Sequence, residues 1–195
     1  LINRKLTEMQ RITPQDMMAM QTDNYNVFAA MARPIFLKNI NEALLSAEEK
    51  KYFELLRNWD LRNDANSKGA TVFVLLWEKF KPVVFDDEFA NAPKPIQIPL
   101  ESTLLEAVLK DSAYKFLDNI FTPEKETLVD ATTQALKNAA EALEIAEAAG
   151  KLEWAKNKAT RVSHLAKIPS FSRFDLPIGG GTNIINAAKD VHGPS

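Results

Sequence analysis

Glycine and proline are placed so unevenly along this 195-residue chain that they largely set where helices can lie. Glycine occurs 6 times; the first is Gly69, and every other one lies at or beyond Gly150. Glycine weakens helices and proline interrupts them, so the early chain is helix-compatible and the end is rich in turns. Prolines crowd one stretch, Pro82, Pro93, Pro95 and Pro99, which reads as an irregular excursion over residues 81–99.

Start signals divide the helix-compatible part. In Thr13-Pro14-Gln15-Asp16 the threonine can cap, proline suits the first helical position and Asp16 faces the positive helix end, so a short helix runs to about Met20. Tyr25, Phe28, Ala29, Ala32, Phe36 and Ile40 recur at spacings of three and four, which predicts a helix near residues 23–45 that Pro34 kinks or splits. Ser46-Ala47-Glu48-Glu49 is a capping box, followed by a stripe of Tyr52, Phe53, Leu56 and Trp59. Residues 60–69, dense in Asn and Asp, form a polar connection. Residues 70–80 read as a buried helix, with a strand as the alternative because Thr71, Val72 and Val74 are β-branched. Short helices are predicted over 101–109 and 113–120. Thr122-Pro123-Glu124 repeats the cap-plus-proline start, and the helix behind it buries Leu128, Ala135, Ala139, Leu143 and Ala146 and stops at Gly150.

From Lys151 the character changes. Residues 152–166 are partly helical, Ile168-Pro169 and Leu176-Pro177 punctuate an extended stretch, Gly179-Gly180-Gly181 is a flexible turn, and residues 182–187 read as a short strand. The expected fold class is therefore mainly α: a helical domain over 1–150, and a mixed segment over 151–195 with a β or extended tail.

Composition excludes several function classes. Lys+Arg number 24 against 26 Asp+Glu, a net charge of −2, which provides no general field for nucleic acid or an anionic membrane. No apolar run approaches the ~20 residues that span a bilayer. With 46% hydrophobic residues the chain can offset the entropy of ordering and bury roughly 70% of its unfolded surface. The absence of cysteine removes disulfides, thiolate metal clusters and a cysteine nucleophile, and leaves the compartment open. The chain opens inside a helical pattern at Leu1 and closes directly after an apolar alternation at Ser195, ends that read as cuts through a longer protein.

Candidate chemistry is sparse. Gly179-Gly180-Gly181-Thr182 could cradle a phosphate, but it lacks the Gly-x-Gly-x-x-Gly spacing and the following helix, so a plain turn is the better reading. His164 and His192 have no partner at i, i+4; a metal-dependent hydrolase would need both plus a recruited carboxylate, and structural histidines are favoured. Asp86-Asp87-Glu88 lacks the alternation of a calcium loop and reads as solvated. Ser163-His164 are neighbours without an orienting acid, and neither Gly-x-Ser-x-Gly nor Ser-x-x-Lys occurs. Trp59, Trp77 and Trp154 read as core anchors, and the alternating charges from Glu141 to Lys158 as a solvated face. No catalytic, cofactor-binding or metal-ligating residue is assigned.

Several stretches together resemble the penicillin acylase family of N-terminal-nucleophile amidohydrolases, specifically the later part of the β subunit. They are Ile2-Asn3-Arg4-Lys5-Leu6 with Arg11-Ile12-Thr13-Pro14-Gln15-Asp16; Gln21-Thr22-Asp23; and Leu55-Leu56-Arg57-Asn58-Trp59-Asp60. Leu61 departs from the glycine usual after that Asp. Trp154, His164-Leu165, the glycine cluster, Asn183 to Ala187 and His192-Gly193-Pro194-Ser195 are similar to the closing stretch of the subunit.

The resemblance implies a parent of αββα fold in which a serine, freed as the first residue of the β subunit, attacks an amide carbonyl with its own α-amine as base. An asparagine side chain and a backbone amide then stabilise the oxyanion. Leu1 has no nucleophilic atom, so the nucleophile, the oxyanion asparagine, a catalytic arginine and the structural calcium ligands are expected upstream, and no cofactor within this chain. The implied partners are the rest of the β subunit and the α subunit, in a periplasmic or secreted parent acting on penicillins, cephalosporin side chains, acyl homoserine lactones or other amides. The segment alone is expected to be folded and inactive, its tail strand, without its neighbours, either disordered or paired with another copy. The competing reading is a non-enzymatic helical interaction or periplasmic binding module.

Overall fold

A computed structural model describes residues 1–94 and 96–188; Pro95 and the stretch containing His192 lie outside the described residues. The fold is mainly helical, with eight α-helices, three single 3-10 turns and one two-stranded antiparallel sheet among those residues. The helices are α1 (Ile2–Glu8), α2 (Pro14–Gln21), α3 (Val27–Asn39), α4 (Ala47–Arg57), α5 (Lys68–Phe89), α6 (Glu101–Lys110), α7 (Leu128–Ala148) and α8 (Trp154–Lys158). The strands are β1 (Thr160–Val162) and β2 (Arg173–Leu176), paired Thr160 to Leu176 and Val162 to Arg173 with an irregularity between.

The chain forms two compact units. One gathers Leu1–Ala30, Trp59–Thr71 and the chain from Ala146 onward; the other holds Met31–Asn58 and Val72–Ile145.

The second unit is built on apolar helix faces. Phe36 packs edge-on against Trp77 and Phe80, with ring centroids 5.9 and 5.4 Å apart. Tyr52, Phe53 and Leu56 of α4 are buried, as are Ala135, Leu136, Ala139 and Leu143 of α7. Ser46 and Glu49 close the expected capping box on α4, Ser46 N donating to Glu49 Oε2 at 2.7 Å and Glu49 N to Ser46 Oγ at 3.2 Å.

Proline is where helix bounds depart from expectation. α3 runs to Asn39 through Pro34 without splitting, and α5 runs to Phe89 through Pro82, so the irregular excursion begins about ten residues later than predicted. Each proline removes an i→i−4 hydrogen bond and crowds the preceding turn, at about 3 kcal/mol. Behind Pro34 lie buried Ile35 and Phe36, and behind Pro82 buried Val84 and Phe85. Burying each such side chain returns about 1.5–3 kcal/mol, enough to carry the helix past the proline.

Other expectations are corrected by side-chain bonding. Residues 113–120 contain only the 3-10 turn Lys115–Leu117. Thr122 does not start α7; its hydroxyl donates to Glu126 Oε1 at 2.6 Å within a loop. The start is Thr127, whose N–H and hydroxyl donate to Asp130 Oδ2 at 2.9 and 2.6 Å, while Asp130 N reaches back to Thr127 Oγ1 at 3.4 Å. Asp86 and Asp87 belong to the last turns of α5, and Asp87 Oδ2 accepts the Ile120 N–H at 2.9 Å.

Residues 182–187 are not a strand. Asn183 takes a positive φ of 63°, and the segment folds back so that Gly181 N donates to Asn186 O at 3.0 Å. The Asn186 N–H goes to Asp23 O at 3.1 Å and the Ala187 N–H to Ile185 O at 2.9 Å, so these amides pair within their own chain.

Candidate functional site

Three Asn- and Gly-rich segments of the first unit meet in one polar knot: residues 23–26, 61–64 and 179–186. Tyr25 and Arg62 form an isolated antiparallel bridge; Asn26 N donates to Leu61 O at 2.8 Å and Asn63 N to Asn24 O at 2.9 Å. The third segment closes over them, Gly180 N donating to Asn63 O at 2.9 Å and Asn186 N to Asp23 O at 3.1 Å. Side chains repeat the pattern: Asn24 Nδ2 donates to Asp64 Oδ1 at 2.7 Å and Asn186 Nδ2 to Asn24 Oδ1 at 2.8 Å.

Asp23 is the charged centre, only 4% exposed. Oδ1 accepts the Tyr25 N–H at 3.0 Å and Arg62 Nη1 at 3.1 Å; Oδ2 is ion-paired with Lys5 Nζ. Burial pushes its pKa up, but the hydrogen bonds from Lys5 and Tyr25 and the charges of Lys5 and Arg62 outweigh it, holding the carboxyl below the usual range. Arg62 Nε also reaches Asp64 Oδ2 at 3.3 Å. Burial acts against the guanidinium, and the Asp64 and Asp23 carboxylates more than offset it, so its pKa is raised.

The glycines are required by close approach. A Cβ on Gly179 would lie 2.6 Å from Asn63 O and 2.7 Å from Asn24 Nδ2; Gly180, at φ +81°, would place one 2.4 Å from Asn186 O. Trp154 Nε1 donates to Gly180 O at 2.7 Å, and Lys158 Nζ donates to Gly179 O and Ala188 O, both at 2.7 Å. Lys158 is therefore a clamp inside the unit and not part of a solvated face.

This geometry answers the phosphate question. The Gly180 and Gly181 amides are spent on Asn63 and Asn186, and the Lys158 ammonium on carbonyls, so the turn offers an anion no cradle. His164 lies against Phe171 with centroids 5.3 Å apart and the rings tilted by 50°, and its Nδ1 accepts the Ala166 N–H at 3.3 Å. That nitrogen shapes the loop between the strands and is not set against Ser163. Trp59, Trp77 and Trp154 are all buried. Among the described residues no group of three or more His, Asp and Glu side chains is arranged to hold a metal. The buried carboxylate of Asp23 already faces two cations, so the residues present do not fit a calcium site. No helix among those residues is long and apolar enough to cross a membrane.

Sequence reasoning did not anticipate buried Asn26 and Asn63 or the Lys158 clamp. The available signal was the density of Asn and Asp over 23–26 and 60–66 together with the glycine cluster. Nothing local reveals that Asn24 pairs with Asn186.

Comparison with known proteins gives one finding of family. The family model described as Penicillin amidase matches residues 1–195, the whole chain. None of the curated proteins matches it.

Proposed function

This chain belongs to the penicillin amidase family, and from that premise we propose that it is a scaffold segment of an enzyme that hydrolyses linear amide C–N bonds. Its helices support acyl-transfer groups carried by other parts of the parent polypeptide: a serine nucleophile with its α-amine as base, and an oxyanion asparagine. The rest of the β subunit and the α subunit are its partners, and the parent works in the periplasm or outside the cell.

The observation that carries this reading is the saturation of the polar knot. Asp23, Asn24, Arg62, Asn186 and Lys158 bond to one another and to main-chain groups. Acyl transfer needs a nucleophile within reach of a base, and donors about 3 Å from a developing oxyanion. Groups already spent on internal partners serve position instead.

The test is hydrolysis of a chromogenic acyl-amide by the purified chain, beside a control whose Leu1 amine is blocked. The proposal expects both to match buffer. Turnover by the unblocked chain above the blocked control would overturn it.

A further inference from the structure

Helix α1 is attached to its unit in an unusual way. None of its seven residues is buried, and Leu1 at its start makes no side-chain cap bond. Beyond its own turns, its polar attachments among the described residues are two: Lys5 Nζ to Asp23 Oδ2, and the Arg4 guanidinium 5.8 Å from the centroid of the Tyr25 ring. Leu1, Ile2 and Asn3 border an open groove of about 390 Å³ whose other walls are Val27, Asn183, Ile184 and Ile185.

The ion pair is asymmetric. Lys5 is 32% exposed and Asp23 4% exposed. If Lys5 leaves, Asp23 keeps the Arg62 guanidinium and the Tyr25 N–H on Oδ1, and its carbonyl keeps the Asn186 N–H. The carboxylate charge then still faces Arg62 through Oδ1, while Oδ2, which has no other hydrogen-bond partner, is opened to water as α1 lifts. Lys5, once released, regains full hydration.

The geometry points to α1 as an ion-latched strap. It opens as a unit at the Lys5–Asp23 pair, baring the groove over Val27, Ile184 and Ile185, while the polar knot stays folded. Local opening of this kind lies at the low-stability end of a protein's motions, and a latch with one solvated partner is weakened by salt.

Hydrogen exchange read by mass spectrometry on the whole chain tests this. Compared with wild type at about 0.05 M salt, Lys5→Met keeps the stem and helix propensity but removes the charge, and α1 amides exchange about fivefold faster. Peptides covering residues 61–64 and α7 are unchanged. Raising salt to about 1 M brings wild-type α1 toward the variant's rate, leaves the variant unmoved, and Lys5→Arg behaves as wild type. Two results would overturn the strap: α1 exchange that Lys5→Met and salt leave unchanged, or acceleration that spreads equally to 61–64 and α7.

Discussion

Leu61 adopts a backbone conformation that glycine accepts and leucine resists. Its φ is +65°, and its carbonyl is held there by the Asn26 N–H at 2.8 Å. For an L-residue the left-handed region costs about 1–2 kcal/mol because Cβ crowds the following carbonyl. Comparing Leu61→Ala with Leu61→Gly isolates this strain. Both variants lose the isopropyl end of the half-buried side chain, so its burial cancels, and they differ by one Cβ. Glycine removes the strain but adds about 0.4–1 kcal/mol of unfolded-chain entropy. The glycine variant is therefore expected to be more stable than the alanine variant by about 0.5–1 kcal/mol, the reverse of the order in an ordinary helix or strand. Urea titrations followed by tryptophan emission measure it: the glycine midpoint lies higher at equal slope. A higher midpoint for alanine would refute the strain argument and mean that residues 60–64 relax around a Cβ at negligible cost.

Other substitutions test the packing of the same unit. Gly69→Ala places a Cβ 2.4 Å from Trp59 Cβ and 2.5 Å from Cγ; with Trp59 buried, thermal melting should show a loss of about 1–3 kcal/mol, although alanine is the better helix former. Lys158→Met removes the donor to Gly179 O and Ala188 O, so limited proteolysis should cut within 179–188 at least several-fold faster while α7 stays resistant. Acid should destabilise with a defined sign. The carboxyl pKa values of Asp16, Asp23, Glu126 and Asp130 are lowered on folding, so their contribution is present above the unfolded value near ~4 and lost as pH falls through the folded values. Urea midpoints should be flat from about pH 7 to 5 and drop below about 4, with a smaller drop in Asp23→Asn.

Helix starts were legible wherever a cap and its target lie three residues apart, because the bond is local. Ser46 with Glu49 forms as read, and Thr13 caps as read, with Asp16 also bonding back to it. Thr122-Pro123-Glu124 misled because Thr127 with Asp130 offered a reciprocal box five residues on, and the Thr122 hydroxyl went to Glu126 instead. Pro82, read as the start of an irregular stretch, misled for a different reason, and Pro34 did not split its helix. A proline's local penalty is visible in the sequence, whereas the burial of Phe36 and Phe85 that outweighs it depends on helices distant in sequence. The extended reading of 182–187 failed on the same ground: alternation predicts a strand, but Asn186 binds back to Asp23 and Gly181.

The residues that carry the family resemblance and those that hold the first unit together are largely the same. Asp23 anchors Lys5 and Arg62; Trp59 Nε1 donates to Arg62 O at 2.9 Å; Trp154 and the glycine turn meet through Gly180 O; Asn186 closes on Asn24. Each supplies a contact between segments far apart in sequence, up to 162 residues for Asn24 and Asn186. Such contacts are the ones a chain cannot replace by local propensity, since loop closure must be met before they form. Motif recognition therefore found the right residues before their roles could be read. The contacts they make are a buried carboxylate facing two cations, glycines where a Cβ has no room, and a lysine bonded to carbonyls. The family match and the contacts that hold the unit together thus fall on the same residues, and the proposed division of labour is consistent with donors that are already committed.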